Sequence, residues 1–350
     1  MLALLFRFLT VAVLAACCAS AQASTEEGLV LLESRRFQAA YAVFLPEAEK
    51  GDARAAFEAG RLLLAGRGVE KDEASGAKWV LASAEGGYRD AQYLMGALSV
   101  YGIGVEKDSQ VALTWFSKAA AAGDARAATA MGILTGSGAA GGNRRPEAVL
   151  WFRRAAEAGE PEAQRRRALA LATGRDGKKD EAAAAGWFLK AAQKGLREAQ
   201  YNTGYRYAEG IGVPRDLAKA VYWYDKAAAG GDVKAQYNLA TMYLNGLGVE
   251  EDAARAAGWF LKAAGAGYGP AMYRLGALYE EGRGVKRDYR LAARWYEAAD
   301  AAAKETMAKA PKGRVNPVWR GSLVLPDDLR RTFPDIPAPD GANRAPDAVR

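Results

Sequence analysis

Along the middle of this chain, apolar residues recur about every 3.6 positions within short stretches. The stretches themselves recur every 36 residues. In KAQYNLATMYLNG, from Lys234 to Gly246, residues Ala235, Leu239, Met242 and Tyr243 share one helical face, and the closing glycine can take the positive φ of a helix end. A GxGVxxD loop follows. Its aspartate (Asp72, Asp108, Asp216, Asp252 or Asp288) is placed to cap a second helix by accepting a backbone N–H bond. That helix carries alanine, tryptophan and alanine at i, i+3 and i+7, as in Ala256, Trp259 and Ala263, and stops at a glycine such as Gly267. The pattern predicts a helix pair per period.

Rows of 36 residues laid out from Ala53 give seven consecutive copies without insertion or deletion, ending at Lys304. Trp79, Trp115, Trp151, Trp187, Trp223, Trp259 and Trp295 form one column, with Val80, Phe116, Phe152, Phe188, Tyr224, Phe260 and Tyr296 beside them. The phrase AAGWFLKAA, at Ala184–Ala192 and again at Ala256–Ala264, is thus a repeated packing segment, not a duplicated active site. A unit of this size cannot bury its apolar face alone, so the rows must stack. The expected fold is all-α: a right-handed α/α solenoid of about seven helix-pair repeats over residues 53–304, preceded by a capping helix pair over residues 24–52. Pro46 in the second capping helix is expected to kink it.

The pattern AQYNLxxxYxxGxGVxxDxxxAxxWFxKAAxxG, read from Ala199 to Gly231 and from Ala235 to Gly267 with small departures, resembles the Sel-one-like repeat, a longer relative of the tetratricopeptide repeat. The resemblance implies an α/α solenoid of a kind that serves as a scaffold or adaptor, often in bacterial envelopes. Some bacterial members are linked to penicillin hydrolysis. Those resemble a cysteine-rich variant, and no repeat here contains cysteine.

Composition narrows the chemistry. The chain has no histidine, and its two cysteines, Cys17 and Cys18, are adjacent, which removes most zinc sites, Ser-His-Asp triads and Cys-His pairs. No catalytic residue, metal or cofactor is expected. The formal charge of +7 arises from 48 basic and 41 acidic residues interleaved along the chain, the pattern of a solvated surface, so no nucleic-acid partner is expected. Residues 1–23 read as an export signal: Arg7 stands ahead of an apolar run from Phe8 to Ala16 that is too short to span a bilayer. Two processing readings stand. Ala21-Gln22-Ala23 fits ordinary signal cleavage, and Leu14-Ala15-Ala16-Cys17 resembles a lipobox that would make Cys17 a lipidated first residue and the chain's one membrane anchor.

Rows three and four depart from the pattern. Row three replaces the loop with GSGAAGGNRRPEA, and row four carries Arg165, Arg166 and Arg167, of which Arg167 stands in an otherwise mainly apolar column. The arginines can grip an acidic partner, or the loops have drifted as exposed segments do. By analogy with tetratricopeptide geometry, the concave face is lined by Phe57, Tyr93, Thr129, Arg165, Tyr201, Tyr237 and Tyr273, with Tyr205 and Thr241 in a second column. A tyrosine-rich groove in rows five to seven suits an extended peptide or a partner helix. Equally, these tyrosines can pack against adjacent helices. Two formal motif matches carry little weight: Ser75-Gly76-Ala77-Lys78 fits SxxK without the companion SDN or KTG, and Gly136–Gly141 fits GxGxxG but follows a helix instead of a strand.

Residues 305–350 form a proline-rich tail, with seven of the twelve prolines between Pro311 and Pro346. Within it, Trp319, Leu323, Leu325, Leu329, Phe333 and Ile336 are apolar enough to fold back over the end of the last repeat or to dock on another protein. The sequence therefore reads as an exported, monomeric, non-enzymatic scaffold, periplasmic or lipid-anchored, that binds a protein through its concave face. The competing readings are a cell-wall or β-lactam hydrolase and a binder of acidic envelope polymers.

Overall fold

The computed structural model describes residues 24–139, 141, 145–175 and 177–309. The export signal, Cys17 and residues 310–350 therefore lie outside the described residues, whereas residues 305–309, expected to begin the irregular tail, continue the last helix. Helix α1 (24–33) pairs with α2 (Phe37–Glu49), and the repeats follow as pairs: α3 (Ala53–Ala65) with α4 (Glu73–Glu85), α5 (Arg89–Tyr101) with α6 (Ser109–Ala121), and α7 (Ala125–Ser137) with α8 (Arg145–Glu157). Then come α9 (Pro161–Thr173), α10 (Glu181–Gln193), α11 (Arg197–Glu209), α12 (Leu217–Ala229), α13 (Val233–Asn245), α14 (Ala253–Gly265), α15 (Gly269–Glu281) and α16 (Tyr289–Lys309). There is no strand among the described residues. The fold is an all-α, α/α solenoid. Its chain divides into two units at Trp151/Phe152, called unit 1 and unit 2 below.

Local chemistry sets the helix ends where the sequence places them. Asp72, Asp108, Asp216, Asp252 and Asp288 each accept a backbone N–H at the start of a second helix, at 2.7–3.1 Å. At the other end of α3, α5, α9, α11, α13 and α15, a glycine takes the left-handed conformation and its N–H returns to the last turn. Helix α2 continues through the exposed Pro46, and Lys50 N–H bonds the Pro46 carbonyl.

Within each unit, every helix packs mainly on its neighbours in sequence. The column beside the tryptophans is the deep one: Val80, Phe116 and Phe260 are fully enclosed, and Phe188 and Tyr224 nearly so. Burying such a ring stabilises the stack by about 2–3 kcal/mol. The tryptophans lie shallower, and three of them are lidded by the lysine one turn on: Lys118 over Trp115, Lys190 over Trp187 and Lys262 over Trp259, at 3.9–4.2 Å from the ring centroid.

The second glycine of the GxG loop joins one repeat to the one before it. A Cβ on Gly104 would lie 2.0 Å from the Glu73 carbonyl oxygen at the head of α4, and one on Gly212 would lie 2.0 Å from the Glu181 carbonyl oxygen at the head of α10. Gly68 makes the same approach to Gln38 of α2, so the N-terminal pair is joined as a repeat would be. Only glycine fits this contact. Rows three and four carry Ala140 and Asp176 in that column.

Candidate docking face of the first helices

In a two-layer stack of helix pairs, the first helices form one layer whose far side is not needed for packing. The joints fix what that side presents. In unit 2, Gln200 and Gln236 donate side-chain N–H bonds to the Ala192 and Ala228 carbonyls at 3.2–3.3 Å, tying α11 and α13 to the second helices that precede them. The tyrosine in the next column, at 201, 237 and 273, then meets the deep ring of its own repeat. Ring centroids are 5.9 Å apart for Tyr201 and Tyr224, 5.5 Å for Tyr237 and Phe260, and 5.1 Å for Tyr273 and Tyr296. These pairs favour tilted or edge-on contact. Burial raises the hydroxyl pKa of Tyr201 and, more strongly, of Tyr224. Tyr296 is pushed up to about 12, by burial and then by Glu280, whose carboxylate accepts its hydroxyl at 2.7 Å.

The proposed tyrosine groove is thus partly a packing feature and partly open. Tyr201 and Tyr237 are half-buried in the stack, whereas Tyr205 is 42% exposed and Tyr273 60% exposed. Tyr205, Tyr237 and Thr241 meet at one cavity of about 240 Å³ between α11, α12 and α13, with Glu209, Arg215 and Asn238 at its wall. Thr241 donates its hydroxyl to the Tyr237 carbonyl, and Arg215 donates to the Ala208 carbonyl. The cavity combines aromatic surface with an amide, a carboxylate and a guanidinium, the mixture that orients a peptide by a few polar contacts. Tyr273 stands apart from it, with Tyr296.

Arg165 and Arg166 are placed differently from the expected open cations. Both bond Glu162, at 2.7–2.8 Å, and Arg166 also covers the Phe152 ring. Burial alone would raise the Glu162 pKa, but the two guanidiniums outweigh it and hold the carboxyl below its usual range. Arg167 is half-buried and has a partner of its own. The formal catalytic match is absorbed by a helix cap: Ser75 bonds Asp72 through its backbone N–H at 2.9 Å and through its side chain, lowering the Asp72 pKa, while Lys78 is exposed. Gly136 lies inside α7. Among the described residues, no group of three His, Cys, Asp or Glu is placed to hold a metal.

Arg206 belongs to no motif, yet the structure buries it. Its column otherwise holds Leu62, Leu98, Leu134, Ala170, Met242 and Leu278, and that mismatch was the available signal. Its side chain is 9% exposed, bonds Glu181 at 2.7 Å and lies over Phe188, at the edge of a second cavity of about 160 Å³ lined by Ala185, Leu189 and Tyr207.

Comparison with known proteins agrees with the column layout. A family model described as Sel1 repeat matches residues 53–88, 89–124, 125–160, 161–196, 197–232, 233–268 and 269–299. A solved Sel1 repeat protein from Oxalobacter formigenes is 34% identical, with a TM-score of 0.64 over 69% of this chain and 99% of that one. A protective antigen of uropathogenic Escherichia coli strains, described as displaying an SLR fold, is 28% identical, with a TM-score of 0.65 over 87% of this chain and 68% of that one. No curated protein matches the chain significantly.

Proposed function

We propose, because this chain belongs to the Sel1 repeat family, that it is a non-enzymatic scaffold that holds a protein partner on the first-helix face of unit 2. Sel1 repeat proteins are generally protein-interaction scaffolds. The observation that carries the placement is the cavity where Tyr205, Tyr237 and Thr241 converge. It offers an exposed ring whose immobilisation costs little entropy and polar groups that can read a peptide backbone. The extent of the face suits an extended segment or an amphipathic helix better than a small molecule.

The site of action in this reading is the cell envelope. The support is the leader pattern of residues 1–23, with either Ala23 or Cys17 at the processing point. Among the described residues, no helix is long and apolar enough to cross a membrane. A Cys17→Ser variant distinguishes the two forms: loss of palmitate labelling and of membrane fractionation marks a lipid anchor, and unchanged soluble export marks ordinary cleavage. Retention of the wild-type chain in the cytoplasm would defeat the envelope reading.

The docking face is tested with a photoreactive amino acid at Tyr205 in the full chain, crosslinked in cells and compared with the same group at Leu261 on a second helix. A partner captured at 205, missing at 261 and lost when Thr241→Arg fills the cavity is the expected result. Equal capture at both positions, or capture that survives Thr241→Arg, would place docking elsewhere.

A further inference from the structure

The first helices of unit 1 are buried on more sides than their stack can cover. Ten consecutive residues of α5, Ala91 to Val100, are buried, as are ten of α7, Ala127 to Gly136, and nine of the thirteen in α3. Ten helical residues sweep the whole circumference almost three times, so no solvent-facing side is left. In unit 2 the equivalent helices bury far fewer: Ala199, Thr203, Gly204 and Arg206 in α11, and Ala271, Leu275, Gly276 and Leu278 in α15. The difference lies on the open side of the layer. There, Ala97 is 0% exposed where its column mate Tyr205 is 42% exposed, and Leu94 is enclosed where Asn238 is half-buried.

The described helices of unit 1 pack mainly on their sequence neighbours, so none of them supplies this cover. We propose that residues 311–336 of the same chain lie along the first-helix face of unit 1 as a built-in ligand, closing that face to other partners while the face of unit 2 stays open.

The chemistry of the two surfaces matches. The covered side is aromatic, with Phe57, Tyr88, Tyr93 and Tyr101, over an apolar floor of Leu94, Ala97 and Ile133. Pro317, Pro326 and Pro334 favour an extended backbone that needs no ladder of hydrogen bonds, the form in which proline-rich segments enter aromatic grooves. Trp319, Leu325 and Phe333 supply apolar groups for the floor, and Asp327, Asp328, Arg330 and Arg331 supply both charges to meet the Arg61–Glu58 and Arg126–Asp90 ion pairs carried by α3, α5 and α7. Tethering adds an effective concentration on the order of millimolar, so modest intrinsic affinity suffices. Of the other long segment outside the described residues, 1–23, export removes all in ordinary cleavage and all but Cys17 to Ala23 in lipobox processing. The inference does not depend on the docking role assigned to unit 2.

Tyr101 and Glu209 share a column and allow a paired experiment in the full chain. A benzophenone side chain at Tyr101 should crosslink to peptides within 311–336, and one at Glu209 should not. Crosslinks from 101 only to residues 1–23 or to a second copy of the chain, or none at all, would overturn the proposal. Trp319→Asp combined with Leu325→Asp and Phe333→Asp leaves the repeats untouched. It should abolish the Tyr101 crosslink and speed tryptic cleavage after Arg330 and Arg331 about tenfold, as the tail is released. An unchanged crosslink and unchanged cleavage in that variant would equally refute it.

Discussion

Helices α5 and α13 both carry Ala-Gln-Tyr from their third residue, and they are held by the same joints. Gln92 and Gln236 each donate to an alanine carbonyl eight residues back, at 3.2–3.3 Å, and Tyr93 and Tyr237 each meet a phenylalanine at 5.5–5.6 Å. Yet Tyr93 is fully enclosed, whereas Tyr237 is half-buried beside a cavity. The residues that differ are the outward ones: Leu94 and Ala97 in α5, Asn238 and Thr241 in α13. One framework thus carries an enclosed face in unit 1 and a more open face in unit 2. The shared columns hold the stack together, and the columns that vary set how open each face is.

Truncating equivalent rings separates the two faces most strongly. Tyr93→Ala should cost about 4 kcal/mol of unfolding free energy and Tyr273→Ala, 60% exposed, less than about 1, measured by urea denaturation. Equal costs would mean that the two faces do not differ in cover. Gly104→Ala in unit 1 and Gly212→Ala in unit 2 should each cost about 2–3 kcal/mol, since both need a positive φ and a close backbone approach. A harmless substitution in either unit would show that its repeats are joined in another way.

Arg206→Leu restores the residue type of its column. It should change stability by less than about 1 kcal/mol in either direction, because Glu181 can reach solvent and a well-packed leucine replaces the ion pair. A loss above about 3 kcal/mol in melts would instead make the Arg206–Glu181 pair indispensable to unit 2. The smallest effect is one of sign. Burial pushes the Glu58 carboxyl above its ordinary value against the pull of Arg61, whereas the arginines hold Glu162 below it. As pH falls from neutral towards 4.5, the usual value for a glutamate, the penalty at Glu58 is relieved. The stabilisation from Glu162 is lost only below 4.5, as pH falls through its depressed folded-state pKa. Stability measured against pH should therefore show Glu58→Gln and Glu162→Gln departing from the parent chain in opposite directions.

Much of the framework was legible because each structural requirement is repeated. Seven tryptophans in register, an aspartate before each regular second helix and a glycine after each first helix leave little freedom in where the helices begin and end. The rings of Tyr201 and Tyr237 were harder to read. Their column predicts both contact with the next helix and a place on the groove, and the structure gives them a share of each. Arg165 and Arg166 resembled free cations because the sequence shows Glu162 only as one more charge on the same helix, not as the carboxylate that both reach. The contrast between Ala97 and Tyr205 was not legible at all. A column reports what a repeat does to itself and its neighbour, and cover from outside the repeat leaves no periodic trace.

The glycine contact between each GxG loop and the helix head before it also bears on how such a chain changes over generations. Each glycine joint is made between one copy and the preceding copy through the same few atoms, so an in-frame duplication of a repeat that carries the glycine brings its own working joint with it. Inheritance can lengthen or shorten this molecule by whole repeats without inventing a new contact. A shift by part of a repeat would bring a side chain against the Glu73 or Glu181 carbonyl and be discarded.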